Sequence, residues 1–187
     1  MVALTADAGT KAQPIYFQQL LTSVMSEIVV FETTKGNIEI EMNRAKSPVT
    51  VDNFVKYLKE GFFDGTIFHR IIPGFMIQGG GFTPDGSEKK THQAIRLESK
   101  NGLKNTKGTI AMARTNDPDS ATSQFFINLI DNNFLNASLG NQGYAVFGQV
   151  KTGIETIDII AAAKTATRGP HGDWPKEDIV IKRAYMK

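Results

Sequence analysis

Arg70 stands inside an apolar run, in the stretch FHRIIPGFMIQGGGF over 68–82, and Gln78 follows in the same stretch. A guanidinium carries five donors and no acceptor, so it does not sit in an apolar strand without something to hold. Pro73-Gly74 breaks the stretch into two strand-like halves. Period-two alternation puts Phe68, Arg70 and Ile72 on one face of the first half and Ile67, His69 and Ile71 on the other. In the second half Met76 and Gln78 share a face. Two later stretches offer a similar mixture. In SQFFI, Gln124 and Phe126 point one way and Phe125 and Ile127 the other; in TIAMAR, the small residues Ala111 and Ala113 oppose Ile110, Met112 and Arg114. Side by side, such strands would form a shallow apolar hollow rimmed by one cation and two amides, with Ala113 small enough to admit another backbone. That surface suits a neutral, peptide-like ligand. On residue type alone, a strand arginine is more often a surface residue or half of a salt bridge, and Gln124 could be a satisfied core amide.

Other chemistries find little support. The chain has no cysteine, which excludes disulfides, thiolate nucleophiles and cysteine-held metals. His69, His92 and His171 are far apart in sequence and form no ligand-spaced group, so no metal and no cofactor is expected. QGGGF lacks the Lys and Ser/Thr of a phosphate-cradling loop and reads as a tight bulge. In NDPDS, Pro118 between Asp117 and Asp119 defeats a calcium loop. Ser120 and Ser123 have no histidine and acid at a hydrolase spacing. Trp174, in GDWPKED, reads as a packing anchor.

The elements that would position Arg70 are mostly strands. IVVFETTKGNIEIEM gives two alternating runs joined through Lys35-Gly36-Asn37, a hairpin signature. SPVTVDNFVKYLKEG is a short helix with Val51, Phe54, Val55 and Leu58 on one face, capped by Ser47 or Thr50 and ended by Gly61. GTIAMAR, SQFFINLI, YAVFGQV and EDIVIKRAYM are further strands. GIETIDIIAAA is a second helix, followed by a loop containing Gly and Pro. Seven or eight strands with two helices point to an all-β barrel or sandwich. Residues 1–24 differ in character. Phe17, Leu20, Leu21, Val24 and Ile28 fall on one helical face behind Pro14, and 1–24 reads as an extension, a leader or a docking helix, ahead of one domain over 25–187.

The balance of 21 basic against 19 acidic residues argues against a nucleic-acid or acidic-membrane partner. No apolar run reaches the roughly 18 residues of a membrane span. The first 24 residues do not form a secretory signal, because Asp7 and Lys11 interrupt them.

Taken with GTIAMAR, SQFFINL and YAVFGQV, the 68–82 stretch resembles the cyclophilins, peptidyl-prolyl cis–trans isomerases, over about 27–187. NGLKNTKGTIAMAR and the short 83–93 loop look most like the prokaryotic cytoplasmic branch. The resemblance implies a closed eight-stranded antiparallel β-barrel capped by two α-helices. It implies catalysis of X–Pro rotation in peptides and unfolded proteins, assisting folding in the cytoplasm as a chaperone-like monomer. It maps Arg70 onto the catalytic arginine, with Phe75, Met76, Phe126 and Leu135 on the proline pocket. Gln78 and Gln124 match the polar rim, and Ala113 and Arg114 the edge that bonds the substrate backbone. Phe134 stands where many eukaryotic members have Trp, Tyr144 where they have His, and Arg114 where they have Asn. Those departures leave the isomerase core intact and imply weakened affinity for the macrocyclic inhibitor cyclosporin. A non-catalytic peptide-binding module using the same hollow is the rival reading, and a nucleic-acid-binding barrel is a distant third.

Overall fold

A computed structural model of the chain describes residues 26–187. The extension read over 1–24 lies outside the described residues, and Ile28, assigned above to its helical stripe, instead opens a strand. In chain order the elements are β1 (Ile28–Thr33), β2 (Gly36–Met42), α1 (Pro48–Lys59), β3 (Phe68–Ile72), β4 (Met76–Gly79), β5 (Thr109–Met112) and β6 (Phe125–Asn128). A 3-10 turn (Asn133–Leu135), β7 (Val146–Thr152), α2 (Ile154–Ala161), β8 (Thr165–Arg168), β9 (His171–Pro175) and β10 (Ile181–Met186) follow. Eight strands pair in the order β10-β1-β2-β7-β5-β6-β4-β3, every pairing antiparallel.

The sheet curls round until its end strands meet at their starts. There Ile67 bridges Val180, the Phe68 N–H donates to Ile179 O (3.0 Å) and the Ile181 N–H to Thr66 O (2.8 Å). The expected barrel is therefore seamed over a few residues and carries no full ladder between β3 and β10. Its interior is filled by inward side chains. Phe31 stacks on Phe125 (5.3 Å between centroids) and Phe54 on Phe63 (4.8 Å), all four with no exposed surface. Helix α1 closes one opening with the apolar face its spacing predicted, and Tyr57 joins that face. Helix α2 contributes Ile157 and Ile160.

Two local expectations change. Ser47 occupies the N-cap position of α1, but its hydroxyl donates to Val146 O (2.7 Å). Glu98 caps the helix instead, accepting from the N–H groups of Val49 (3.2 Å) and Thr50 (2.8 Å), where a carboxylate also meets the positive end of the helix dipole. The stretch read as a loop after α2 contains the β8–β9 hairpin, a separate two-stranded sheet turning at Gly169-Pro170. Its strands bury little beyond Trp174 and Pro175, so they show no apolar alternation to read. Among the described residues, no helix is long and apolar enough to cross a membrane.

Candidate active site

The strand carrying Arg70 is irregular at the residue before it. Phe68 pairs with Gly79 and Arg70 with Gln78, so His69 is one residue too many for its partner strand. Such a bulge bends the strand and re-aims its side chains. Phe68 therefore turns into the barrel with Ile71, and His69 is buried under the β8–β9 hairpin, while Arg70 points out to solvent. This corrects the simple alternation, which placed Phe68 and Arg70 on one face.

Register then lines up the site. Arg70 on β3 pairs with Gln78 on β4, Gln78 with Phe126 on β6, and Phe126 with Ala111 on β5. The result is a transverse row on the outer surface, across four adjacent strands. Beside it Met76, Ala111, Phe126, Leu135 and Val146 form a small apolar cluster separate from the barrel core. Arg70, Phe75, Met76, Gln78, Ala113, Arg114, Phe126, Leu135 and Tyr144 line one hollow of about 160 Å³ there. Among the described residues no carboxylate pairs with the exposed Arg70 guanidinium. The hollow thus joins an apolar floor to a cation whose donors are free.

Two expected residues stand beside the hollow. Gln124 precedes β6 and supports the rim from behind: Gln78 Nε2 donates to Gln124 Oε1 (2.9 Å), and Gln124 Nε2 to Glu88 Oε1 (3.2 Å). Gly81 makes room for it, because a Cβ there would lie 2.7 Å from Gln124 Cγ. Phe134 is 65% exposed and stacks on Phe75 at 5.6 Å, extending the apolar rim outward. Arg114 lies beyond the end of β5, which frees it from the alternation that set it against Ala113. Its guanidinium covers the Tyr144 ring (4.5 Å) and donates to Gly143 O from Nε (3.1 Å) and Nη2 (2.9 Å).

The sequence reading missed the layer beneath. Asn105, Asn128 and Asn132 are each about 1% exposed and bond one another behind the hollow. Asn132 Nδ2 donates to Asn128 Oδ1 (2.8 Å) and to Phe75 O (2.9 Å). Asn128 Nδ2 donates to Asn105 Oδ1 (3.1 Å), and Asn105 Nδ2 to Leu135 O (3.1 Å). The chain of amides thereby fixes two walls of the hollow at backbone level. A polar residue closing the apolar run FFIN was the available signal.

Residues 28–186 match the sequence family described as cyclophilin type peptidyl-prolyl cis-trans isomerase/CLD. The chain belongs to the cyclophilins. It is 52% identical over 165 residues to a peptidyl-prolyl cis-trans isomerase of Acinetobacter baylyi, covering 88% of each chain. It is also 52% identical over 158 residues to peptidyl-prolyl cis-trans isomerase B of Escherichia coli, covering 83% of this chain and 96% of the relative. A crystal structure of a Cryptosporidium parvum cyclophilin, determined in the presence of the dipeptide Ala-Pro, superposes with a TM-score of 0.72 at 26% identity. That match covers 86% of this chain and 98% of the other. The chain is thus a peptidyl-prolyl cis-trans isomerase of prokaryotic type, acting on proline-containing peptides.

For this cyclophilin the buried amides have a measurable consequence. Asn128→Leu keeps the number of side-chain heavy atoms but strands Asn105 Oδ1 and removes the acceptor of Asn132, at about 1–3 kcal/mol for each unsatisfied group. Urea unfolding is expected to show a loss of that order, and kcat/KM to fall severalfold as Phe75 and Leu135 lose their anchors. Unaltered stability would show that the network holds nothing.

Proposed function

We propose that the Arg70 row is the catalytic site and that Arg70 stabilises the twisted amide of an X–Pro bond. Rotation about that bond meets a barrier of about 18–20 kcal/mol, because amide resonance is lost on the way. No covalent bond breaks, so no nucleophile is needed. As the amide twists, the prolyl nitrogen becomes pyramidal and regains its lone pair. A guanidinium N–H can donate to that lone pair, which the planar ground state hardly offers, so the bond favours the transition state. The observation that carries this reading is the guanidinium of Arg70, unpaired among the described residues, at the edge of an apolar hollow of about 160 Å³.

One charge-assisted hydrogen bond contributes about 1.5–3 kcal/mol, whereas a millionfold acceleration requires about 8 kcal/mol. Positioning supplies the remainder. In this reading Phe75, Met76, Phe126 and Leu135 hold the proline ring while the preceding carbonyl swings. Gln78, kept in orientation by Gln124, and the backbone at Ala113 and Arg114 hold the flanking peptide. Exchange NMR on a proline peptide tests the reading against the rival of a binding module, since binding without faster exchange would overturn it.

The wider reading is of a monomer acting on unfolded proteins in the cytoplasm, with residues 1–24 an extension of the isomerase domain. The start of the family match at Ile28 supports that boundary. Weak cyclosporin affinity belongs to the same reading, because Phe134 at the rim lacks the N–H donor of an indole. Phe134→Trp is expected to tighten cyclosporin inhibition severalfold in a peptide assay; an unchanged inhibition constant would remove Phe134 from the explanation.

A further inference from the structure

The row that ends at Arg70 does not end at open solvent. Next to the proline hollow, the tip of the β8–β9 hairpin rises over Arg70, Gln78 and Gln124 to form a second hollow of about 420 Å³. Arg70 and Gln78 line both hollows, so they are continuous across one guanidinium and one amide. The second is walled by Phe82 and His171, whose rings lie edge to face at 5.0 Å, and floored by His69.

The hairpin is built to hold that wall. His69, the bulge residue next to Arg70, is 4% exposed and packs against Phe82 (4.6 Å) and Trp174 (5.9 Å). Arg168 covers the Trp174 ring at 4.9 Å and donates from Nη1 to Pro84 O (2.9 Å). Asp173, at the lip, has a φ of 57°, the only positive value outside glycine among the described residues. A non-glycine residue in that region costs free energy that its surroundings must offset, as is common at binding sites. Nothing in the isomerase chemistry calls for this wall.

We propose that the hollow between Arg70 and the β8–β9 hairpin is a second specificity pocket, which takes an aromatic side chain close to the substrate proline. This rests on the reading of the Arg70 row as the isomerase site. The chemistry of the walls selects the class of side chain. Phe82 and His171 offer ring edges and faces, and a planar guanidinium stacks on an aromatic ring while its edge N–H groups remain free to donate. Geometry selects the position. Phe126, under the proline, is two strands from Arg70, or about 10 Å at the usual strand spacing, and an extended peptide covers that in about three residues. The occupant therefore lies within about three residues of the proline. It lies on the side opposite the part of the peptide held at Ala113 and Arg114.

The test walks a single tyrosine through a glycine-flanked proline peptide, from three residues before the proline to three after, with kcat/KM measured at each position. The wild-type protein is expected to prefer tyrosine over glycine by at least fivefold at one position. In His171→Ala that preference is expected to fall at least threefold. NMR titration with the preferred peptide should shift the His171 ring and Gly172 amide signals more than the all-glycine peptide does, a readout that needs no variant. No positional preference, a preference for aspartate over tyrosine, or one that survives in His171→Ala would overturn the proposal. Arg70→Ala on the all-glycine peptide separates the two readings. An unchanged rate there sinks the catalytic assignment, whatever the tyrosine series shows.

Discussion

Replacing Arg70 with alanine is expected to lower kcat on an X–Pro peptide by roughly ten- to a hundredfold, the equivalent of one charge-assisted hydrogen bond made in the transition state. KM should change little, because a bond absent from the planar ground state contributes nothing to substrate binding. The fold should be unaffected. Arg70 is exposed and in no ion pair among the described residues, so urea unfolding should stay within about 0.5 kcal/mol of the wild type, as for other surface substitutions. Lysine at this position restores the charge but not the planar fork, and should recover only part of the rate. A coupled peptide assay with urea titrations of the same samples decides the matter. An unchanged kcat, or a loss confined to KM, would remove Arg70 from the chemistry.

The main parts of this site were legible because strand periodicity and odd residue types point the same way. An arginine and a glutamine in apolar strands, beside alternating Met76 and Phe126, are enough to suggest a mixed surface. What alternation could not supply was the bulge at His69, since a one-residue insertion depends on the partner strand. It could not separate Phe68 from Arg70 for the same reason. The capping of α1 by Glu98 and the joining of Asn105 to Asn128 and Asn132 were hidden because they link residues distant in sequence. The β8–β9 hairpin escaped because TATR is exposed on both faces. Trp174 was visible as an anchor, but not that it anchors the wall beside Arg70. The local patterns thus located Arg70, and the long-range contacts set its direction and its neighbours.

Those neighbours make acid stability the second test. Burial pushes the His69 imidazole down to about 4 from its ordinary 6.5, with smaller contributions from nearby His171 and Arg70. On this side His69 faces the His171 ring and the Arg70 and Arg168 guanidinium groups, and Asp173 is the acid lining the same hollow. The folded protein therefore keeps His69 neutral through a range in which the unfolded chain binds a proton. Stability from this group is fully present above about pH 6.5 and is lost progressively as pH falls towards 4. The whole interval corresponds to about 3 kcal/mol, of which about 2 kcal/mol falls between pH 6.5 and 5. Glu41, held below its ordinary value chiefly by its bond to Lys151, and Asp85, held down chiefly by Thr83, titrate lower and leave that window to histidine. Urea unfolding at pH 7.5 and pH 5 should show the loss in the wild type, and His69→Gln should abolish most of the difference whatever its absolute stability. Equal slopes in the two proteins would show that His69 does not control it. A ring titration by NMR with a midpoint near 6.5 would show that it is not buried as described. Because His69 holds the hairpin beside Arg70, the same protonation should loosen the outer wall of the second hollow before the barrel unfolds. The tyrosine preference should then weaken at a pH where turnover of the all-glycine peptide persists.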